Sequence, residues 1–276
     1  MVRRMALIVG GSRGMGLAMA NEFATHGFDL FLVARSEPEL RAVADRLMAD
    51  GETRVEILAL DATDRTAPAR IAAALDASRA TLHYAVIAVG YWDAGASTQL
   101  APETLERIVG VNVVAPHALQ KAIVSKLAPG GGLLFVGSLA GCRPLPWVAA
   151  YAASKAHLHA AVMALRQEMH GTGIKICLLA PGAVRTAFIP RQAGGQWRWL
   201  FDLFASRPET VAFAAYRGLA SDVPVIVPGL VWRLFWLGMR VLPDTLLDPV
   251  SRLALQTLRS GGPAAPVATS KHPARQ

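Results

Sequence analysis

A short apolar run, Met5-Ala-Leu-Ile-Val9, leads straight into Gly10-Gly11-Ser12-Arg13-Gly14-Met15-Gly16 and then into a helical pattern from Leu17 to His26. No other stretch restricts the fold as strongly. Five apolar residues bounded by glycine fit one buried strand. The glycines let the backbone turn sharply and come close to a ligand. The helix that follows turns its unpaired N–H groups and positive dipole end toward the turn, which suits an anion such as a pyrophosphate. The strand-and-helix pattern then recurs, with apolar runs near 28–33, 54–60, 82–88, 132–137, 174–180 and 224–227 separated by helical stretches.

Parallel strands need long crossovers and are buried on both faces, so this alternation predicts an α/β fold. The expected architecture is a Rossmann-type doubly wound parallel sheet of about seven strands with helices on both faces. At 276 residues the chain fits one such domain, 1–259, with little room for a separate substrate domain. Residues 260–276, with their Gly-Gly-Pro and Lys-His-Pro, read as a flexible tail.

Tyr151-Ala-Ala-Ser-Lys155, with Ser138 thirteen residues upstream, carries the chemistry. A tyrosine and a lysine at i and i+4 lie on one helix face. An ammonium one turn away favours the phenolate and is expected to draw the tyrosine pKa down from its usual ~10. Ser138 follows the apolar run Leu133–Gly137, so a strand end and a helix can bring both hydroxyls to one substrate oxygen. Asn112 precedes Pro116 by four residues inside a pattern that otherwise predicts one helix, 102–127. Proline has no N–H, so the Asn112 carbonyl loses its helical partner and the helix should bend there.

Together these residues resemble the short-chain dehydrogenase/reductase family, in its single-domain branch, from about Met5 to Thr186. The resemblance places the family's glycine motif on Val9 to Gly16, so Gly10, Gly14 and Gly16, with Ser12, Arg13 and Met15 between them, become cofactor-loop residues. It gives Asp61, with Ala62, the contact to the adenine, and Gly90 a place on the cofactor wall. Pro181, Gly182, Val184 and Thr186 fall on the segment that receives the nicotinamide. Asn112, Ser138, Tyr151 and Lys155 fall on the catalytic set; Tyr151 and Lys155 also touch the cofactor, and the Asn112 carbonyl holds a water that links the lysine to solvent. Two departures stand out: Val9 replaces the motif threonine, and Ile87-Ala-Val-Gly90 replaces a run beginning with two asparagines. Losing both partners of a buried hydrogen bond can be nearly neutral, so they read as a repacked cofactor wall.

Charge addresses the cofactor's identity. In a doubly wound sheet the second strand's end meets the adenosine ribose, where an acidic residue suits NAD. Here that strand runs into Ala34-Arg35-Ser36, with no carboxylate before Glu37. Arg35 and Arg13 both suit a 2′-phosphate, so NADP(H) is expected. The expected activity is reduction of a ketone or aldehyde by hydride transfer.

Two further segments bear on substrate and partners. Trp197, Leu200, Phe201 and Phe204 form an apolar helical stripe within 186–207, where the family places a lid; the stripe suits either a bulky apolar substrate or packing on the domain. The segment 229–242 is apolar nearly all round and too short for a bilayer span of roughly 20 residues. Subunit contact in a homodimer or homotetramer, a peripheral membrane anchor, and core packing all remain open for it, and a membrane anchor would suit a long-chain lipid ketone such as a 3-keto-sphingoid base. The net charge of +8 comes from dispersed arginines without a basic helix bearing interleaved aromatics, which argues against nucleic acid. Two cysteines, Cys142 in a loop and Cys177 in a strand, give no disulfide framework; with no apolar leader before the first strand, a cytoplasmic location is expected. His157 and His159, two apart on a helix, do not share a face, and no metal site is expected. A non-catalytic nucleotide-binding regulator is the reading from another class.

Overall fold

The computed structural model describes residues 3–49, 51–78, 80–186 and 204–255. Most of the expected lid stripe (Trp197, Leu200 and Phe201) and the expected tail at 260–276 lie outside these residues. Seven strands form one parallel sheet: β1 (Arg4–Val9), β2 (Asp29–Ala34), β3 (Val55–Ala59), β4 (Thr81–Ile87), β5 (Gly132–Val136), β6 (Lys175–Leu179) and β7 (Val225–Ile226). They lie in the order β3-β2-β1-β4-β5-β6-β7, with β1 pairing in parallel to β2 on one side and β4 on the other. The order therefore reverses between β1 and β4, and a crevice opens at the carboxyl ends of those two strands.

Each strand alternates its side chains between two cores, as the period-2 geometry of a pleated strand requires. Ile8, Leu32, Val86 and Leu134 pack on one face, under α1 (Gly14–Thr25) and α7 (Pro208–Ala220). Leu7, Phe31, Ala85 and Leu133 pack on the other, under α3 (Ala67–Ala77), α5 (Ala115–Val124) and α6 (Ala149–Glu168). The remaining described helices are α2 (Glu37–Met48), α4 (Pro102–Val109), α8 (Leu230–Val241) and α9 (Asp244–Leu255). None of the described helices is long and apolar enough to cross a membrane.

The helix expected over 102–127 is three pieces. α4 ends at Val109, a π-helical turn spans Gly110–Val114, and α5 begins at Ala115 with Pro116 in its first turn. Pro116 cannot donate to Asn112, and the chain absorbs the missing bond by widening one turn, in which Ala115 N–H reaches back to the Gly110 carbonyl.

Residues 229–242 are neither wholly buried nor free. Gly229, at φ 85°, turns the chain into α8. Met239 of α8, with Trp232 and Trp236, packs on Leu139, Ala180 and Val227. The opposite face of the helix is exposed.

Candidate active site

The glycine loop forms a cradle that a side chain would fill. Gly10 has φ 95°, reached without strain only by glycine, and its N–H donates to the Val33 carbonyl at 2.7 Å. A Cβ on Gly16 would lie 2.0 Å from the Gly10 oxygen, so α1 and the loop approach as closely as backbones can. The helix starts after Arg13, whose extended backbone provides no side-chain cap. Its first N–H groups are thus available to an anion. Thr186 comes to the same place, since a Cβ on Gly14 would lie 3.8 Å from Thr186 Cγ2.

The other expected cofactor-loop residues distribute around this cradle. Met15 packs on the core beneath, and Ala62 on the core of the opposite face. Arg13 and Arg35 are exposed, and neither forms an ion pair among the described residues. Ser36 caps α2 by accepting from Glu39 N–H at 3.4 Å. Glu37 is engaged by Arg41 at 2.6 Å, whereas Glu39 reaches back across the loop to accept the Ser12 hydroxyl at 2.9 Å. That carboxylate, outside the end of β2, brings one acid to the loop itself. Asp61 follows β3, and its Oδ1 accepts from both the N–H and the hydroxyl of Thr63, an Asx turn that fixes the carboxylate. The two apolar departures are neighbours: Ala88 N–H donates to the Val9 carbonyl at 2.8 Å, so they form one repacked wall beside Gly90.

Strand ends bring the catalytic candidates together. Gly137 N–H bonds the Leu179 carbonyl at 2.7 Å and Leu139 N–H bonds the Pro181 carbonyl at 3.0 Å, which sets Ser138 beside the Pro181-Gly182 turn. Ser138 Oγ accepts from Ala140 N–H at 3.1 Å, and its hydroxyl lies close enough to Tyr151 to act on the phenol's pKa. Gly141 presses this turn onto α6: a Cβ there would lie 2.6 Å from the backbone carbon of Lys155. Lys155 is buried and its Nζ donates to the Val136 carbonyl at 3.0 Å, 5.9 Å from the centre of the Tyr151 ring. Val184 pairs with Ser206 as an isolated bridge, closing the loop that carries Thr186.

The electrostatics depart from expectation. Burial pushes Tyr151 up to about 12, with only the Ser138 hydrogen bond pulling the other way. Burial holds Lys155 down at about 8. The expected lowering of the tyrosine by the lysine is therefore corrected for this state: desolvation of a buried phenol outweighs an ammonium whose bond goes to the Val136 carbonyl. Tyr151 is a protonated hydroxyl at neutral pH, the form that can give a proton.

Asn112 is wholly buried, and its side chain does more than its carbonyl suggested. Its Oδ1 accepts from Tyr91 N–H and its Nδ2 donates to the Tyr91 carbonyl, both at 2.8 Å. Nδ2 also donates to Ser154 Oγ at 2.9 Å, and that hydroxyl donates to the Tyr151 carbonyl at 2.7 Å. The π turn, the loop after β4 and the first turn of α6 are thus tied at one point. Ser154 was not singled out in the sequence; its place three residues after Tyr151 on the same helix face is the signal that could have found it. Trp232 was also missed: a Cβ on Gly182 would lie 2.2 Å from the indole, so α8 sits directly on the Pro181-Gly182 turn. Among the described residues no group of three or more side chains suits a metal ion; His157 instead pairs with His117 at 2.9 Å.

A doubly wound sheet with a glycine cradle at its switch point defines a dinucleotide-binding class of protein. The comparison with known families makes this specific. Residues 4–194 match the model described as short chain dehydrogenase, and the chain belongs to that oxidoreductase family, whose members bind a nicotinamide cofactor and act on small molecules. An uncharacterized oxidoreductase of Myxococcus xanthus (strain DK1622) is 35% identical over 185 residues, covering 66% of this chain and 73% of that protein. A short-chain dehydrogenase from Sphingobium yanoikuyae in complex with NADPH has a similar structure, with a TM-score of 0.73 at 26% identity over 95% of this chain and 98% of that one. The bulky-bulky ketone specific alcohol dehydrogenase from Comamonas testosteroni has a TM-score of 0.71 at 25% identity, covering 94% and 96%.

Proposed function

We propose that the protein is an NADP(H)-dependent carbonyl reductase, reversibly an alcohol dehydrogenase, acting on a bulky apolar ketone or aldehyde. The observation that carries this reading is the gathering of Ser138, a protonated and buried Tyr151 and a buried Lys155 at one strand end beside the glycine cradle. The reduced nicotinamide, when bound, supplies the hydride. Gly10, Gly14, Gly16 and the open start of α1 would hold the cofactor's pyrophosphate, Asp61 and Ala62 its adenine, and Gly90, Pro181, Gly182, Val184 and Thr186 its nicotinamide end. Ser138 orients and polarises the carbonyl. Tyr151 gives its proton to the developing alkoxide, which needs a hydroxyl protonated at neutral pH. Lys155, beneath it, offers a cation to the ribose and to the phenolate left behind. Asn112 fixes the helix start and, through its carbonyl, the water that returns the proton.

The 2′-phosphate reading rests on Arg13 and Arg35, exposed and without ion pairs among the described residues, and on the missing acid at the end of β2. Glu39, which accepts the Ser12 hydroxyl at the loop, opposes it with a negative charge. The relatives bound to NADPH or acting on bulky ketones, by their names, favour the same cofactor and substrate class. We place the enzyme in the cytoplasm as a homodimer or homotetramer. A second reading, a ketoreductase of long-chain lipids, is favoured by the exposed apolar face of α8 beside the site.

The test is oxidation of NADPH and NADH by the purified protein with aryl, steroidal, long-chain and small ketones. NADPH consumption with the bulky ketones, reduced about 10²–10⁴-fold in Tyr151→Phe, is the expected result. Equal turnover in Tyr151→Phe sinks the catalytic assignment, and a preference for NADH sinks the cofactor assignment.

A further inference from the structure

Helix α8 is fastened to the active-site loops by one face only. Trp232 covers Gly182, and its Nε1 donates to the Phe204 carbonyl at 3.0 Å. Arg233 Nε donates to the Val227 carbonyl at 3.0 Å. Arg143, five residues after Ser138, donates Nε to the Met239 carbonyl at 2.7 Å and Nη2 to the Leu242 carbonyl, capping the end of the helix. With Met239 buried beneath, this face is packed on the domain.

The other face carries Leu230, Val231, Leu234, Phe235, Leu237 and Val241, each at least half exposed. At 100° per residue they span about 160° of arc, and Leu230, Leu234, Leu237 and Val241 form one unbroken stripe. Scattered surface leucines are normal, but a continuous apolar helix face is not. Arg233 and Arg240, seven residues apart, line the border between the buried and the exposed face, and Arg240 lies over the Trp236 ring at 4.8 Å. No carboxylate occurs between Asp222 and Asp244, and the whole chain carries a net charge of +8.

We propose that this face of α8 is a docking surface for an anionic lipid bilayer, on which the helix lies in the plane of the interface. The pattern is that of an interfacial helix: apolar side chains for the acyl boundary, arginines along one edge, and basic charge to attract anionic headgroups. A second copy is the poorer occupant. In an antiparallel twofold contact the arginine edge of one helix would meet that of its partner, with no carboxylate on the helix to pair it. Docking would hold α8 between the bilayer and the Pro181-Gly182 turn that Trp232 covers, so the site would lie one helix away from the lipid surface. The docking itself does not rest on the catalytic reading, because it is measured without turnover.

The experiment is co-sedimentation of the full chain with phosphatidylcholine vesicles, with and without phosphatidylglycerol, alongside light scattering of the protein alone. Binding to the phosphatidylglycerol vesicles, weakened more than tenfold in Leu234→Asp with an unchanged melting temperature, is expected. Arg240→Gln should weaken binding a few-fold at low salt only. Absence of vesicle binding overturns the proposal, as does equal binding by Leu234→Asp. A wild-type dimer that Leu234→Asp converts to monomers, without vesicle binding, overturns it in favour of a second copy.

Discussion

Around Tyr151 the chain answers its own polar groups: Asn112, Tyr91, Ser154 and the Tyr151 carbonyl close into one buried network, and Lys155 is bonded to Val136. Around Trp232, less than one helix away in function, the chain completes only half of its contacts and leaves a row of leucines in water. The difference is one of purpose. A buried network must be closed, because each unmet polar group there costs about 1–3 kcal/mol, and closure also fixes geometry. An apolar face needs nothing from its own chain if something else covers it. The first region holds its atoms still, and the second leaves one apolar face uncovered by the described residues.

The sharpest way to break the rigid half is Gly16→Ala. The new methyl would sit on the Gly10 carbonyl, a backbone atom that cannot swing aside. A loss of about 4 kcal/mol or more is expected, since such overlap exceeds ordinary overpacking. Chemical denaturation measures it, and nucleotide binding monitored by fluorescence should fail in parallel. A stable variant that still binds nucleotide would show that the cradle yields to the added methyl.

Asn112→Ala comes next. It leaves the Tyr91 N–H and carbonyl and the Ser154 hydroxyl without their partner, in a place that admits no bulk water. About 2–4 kcal/mol of stability should go. Amide exchange of Tyr91 should quicken, while the exposed face of α8 is unaffected. If α8 loosened as well, the two regions would be one cooperative unit.

Much of the rigid half was legible in the sequence. The seven apolar runs fall on the seven strands to within a residue or two, because fully buried strands leave continuous apolar segments between glycine and helix signals. The positions of Ser138, Tyr151 and Lys155 at one strand end and one helix start follow from the same pattern. Two things were not legible. The pKa of Tyr151 depends on how much water the fold removes, which spacing along a helix does not encode, and burial reversed the expected direction. The break at Asn112 was expected as a kink, but its form as a π turn, with the side chain rather than only the carbonyl at work, is set by contact with Tyr91 and Ser154 from distant segments. For 229–242 the sequence left three readings open, since an apolar helix looks alike whether it is covered by core, copy or lipid. Trp232 over Gly182 settles only the covered face.

Titration provides a gentler probe of the rigid half. Burial holds Lys155 at about 8 against an ordinary 10.5, so between those values the unfolded chain binds a proton that the folded chain does not. Stability should therefore rise with pH across about 8 to 10.5, by an amount of order 3 kcal/mol at most. Tyr151 acts in the opposite sense: above about 10 the unfolded phenol ionises while the buried one, at about 12, keeps its proton, so stability falls as pH rises toward 12. Urea melts in steps of pH should show the rise, and Lys155→Met should flatten it. A wild-type profile already flat from 8 to 10 would mean that the lysine is better solvated than its surroundings indicate.

The two halves differ most plainly between two leucines, and the smallest effect is expected at the second of them. Leu134, in the middle of β5, is 0% exposed, and Leu234, in the middle of α8, is 60% exposed. Truncating the first, Leu134→Ala, removes buried methyls and opens a cavity, at a cost of about 2–5 kcal/mol. Truncating the second, Leu234→Ala, takes nothing out of a core, and alanine suits a helix at least as well as leucine. For the isolated chain in buffer the change should stay within about 0.5 kcal/mol. Because the residue is exposed only while nothing lies on it, the comparison sharpens when the melts are repeated with phosphatidylglycerol vesicles. Anything that binds the folded chain through Leu234 stabilises the wild type over the variant by mass action. A gap between the two that opens only with vesicles identifies the bilayer as the covering, whereas a gap already present in buffer, and growing with protein concentration, identifies a second copy.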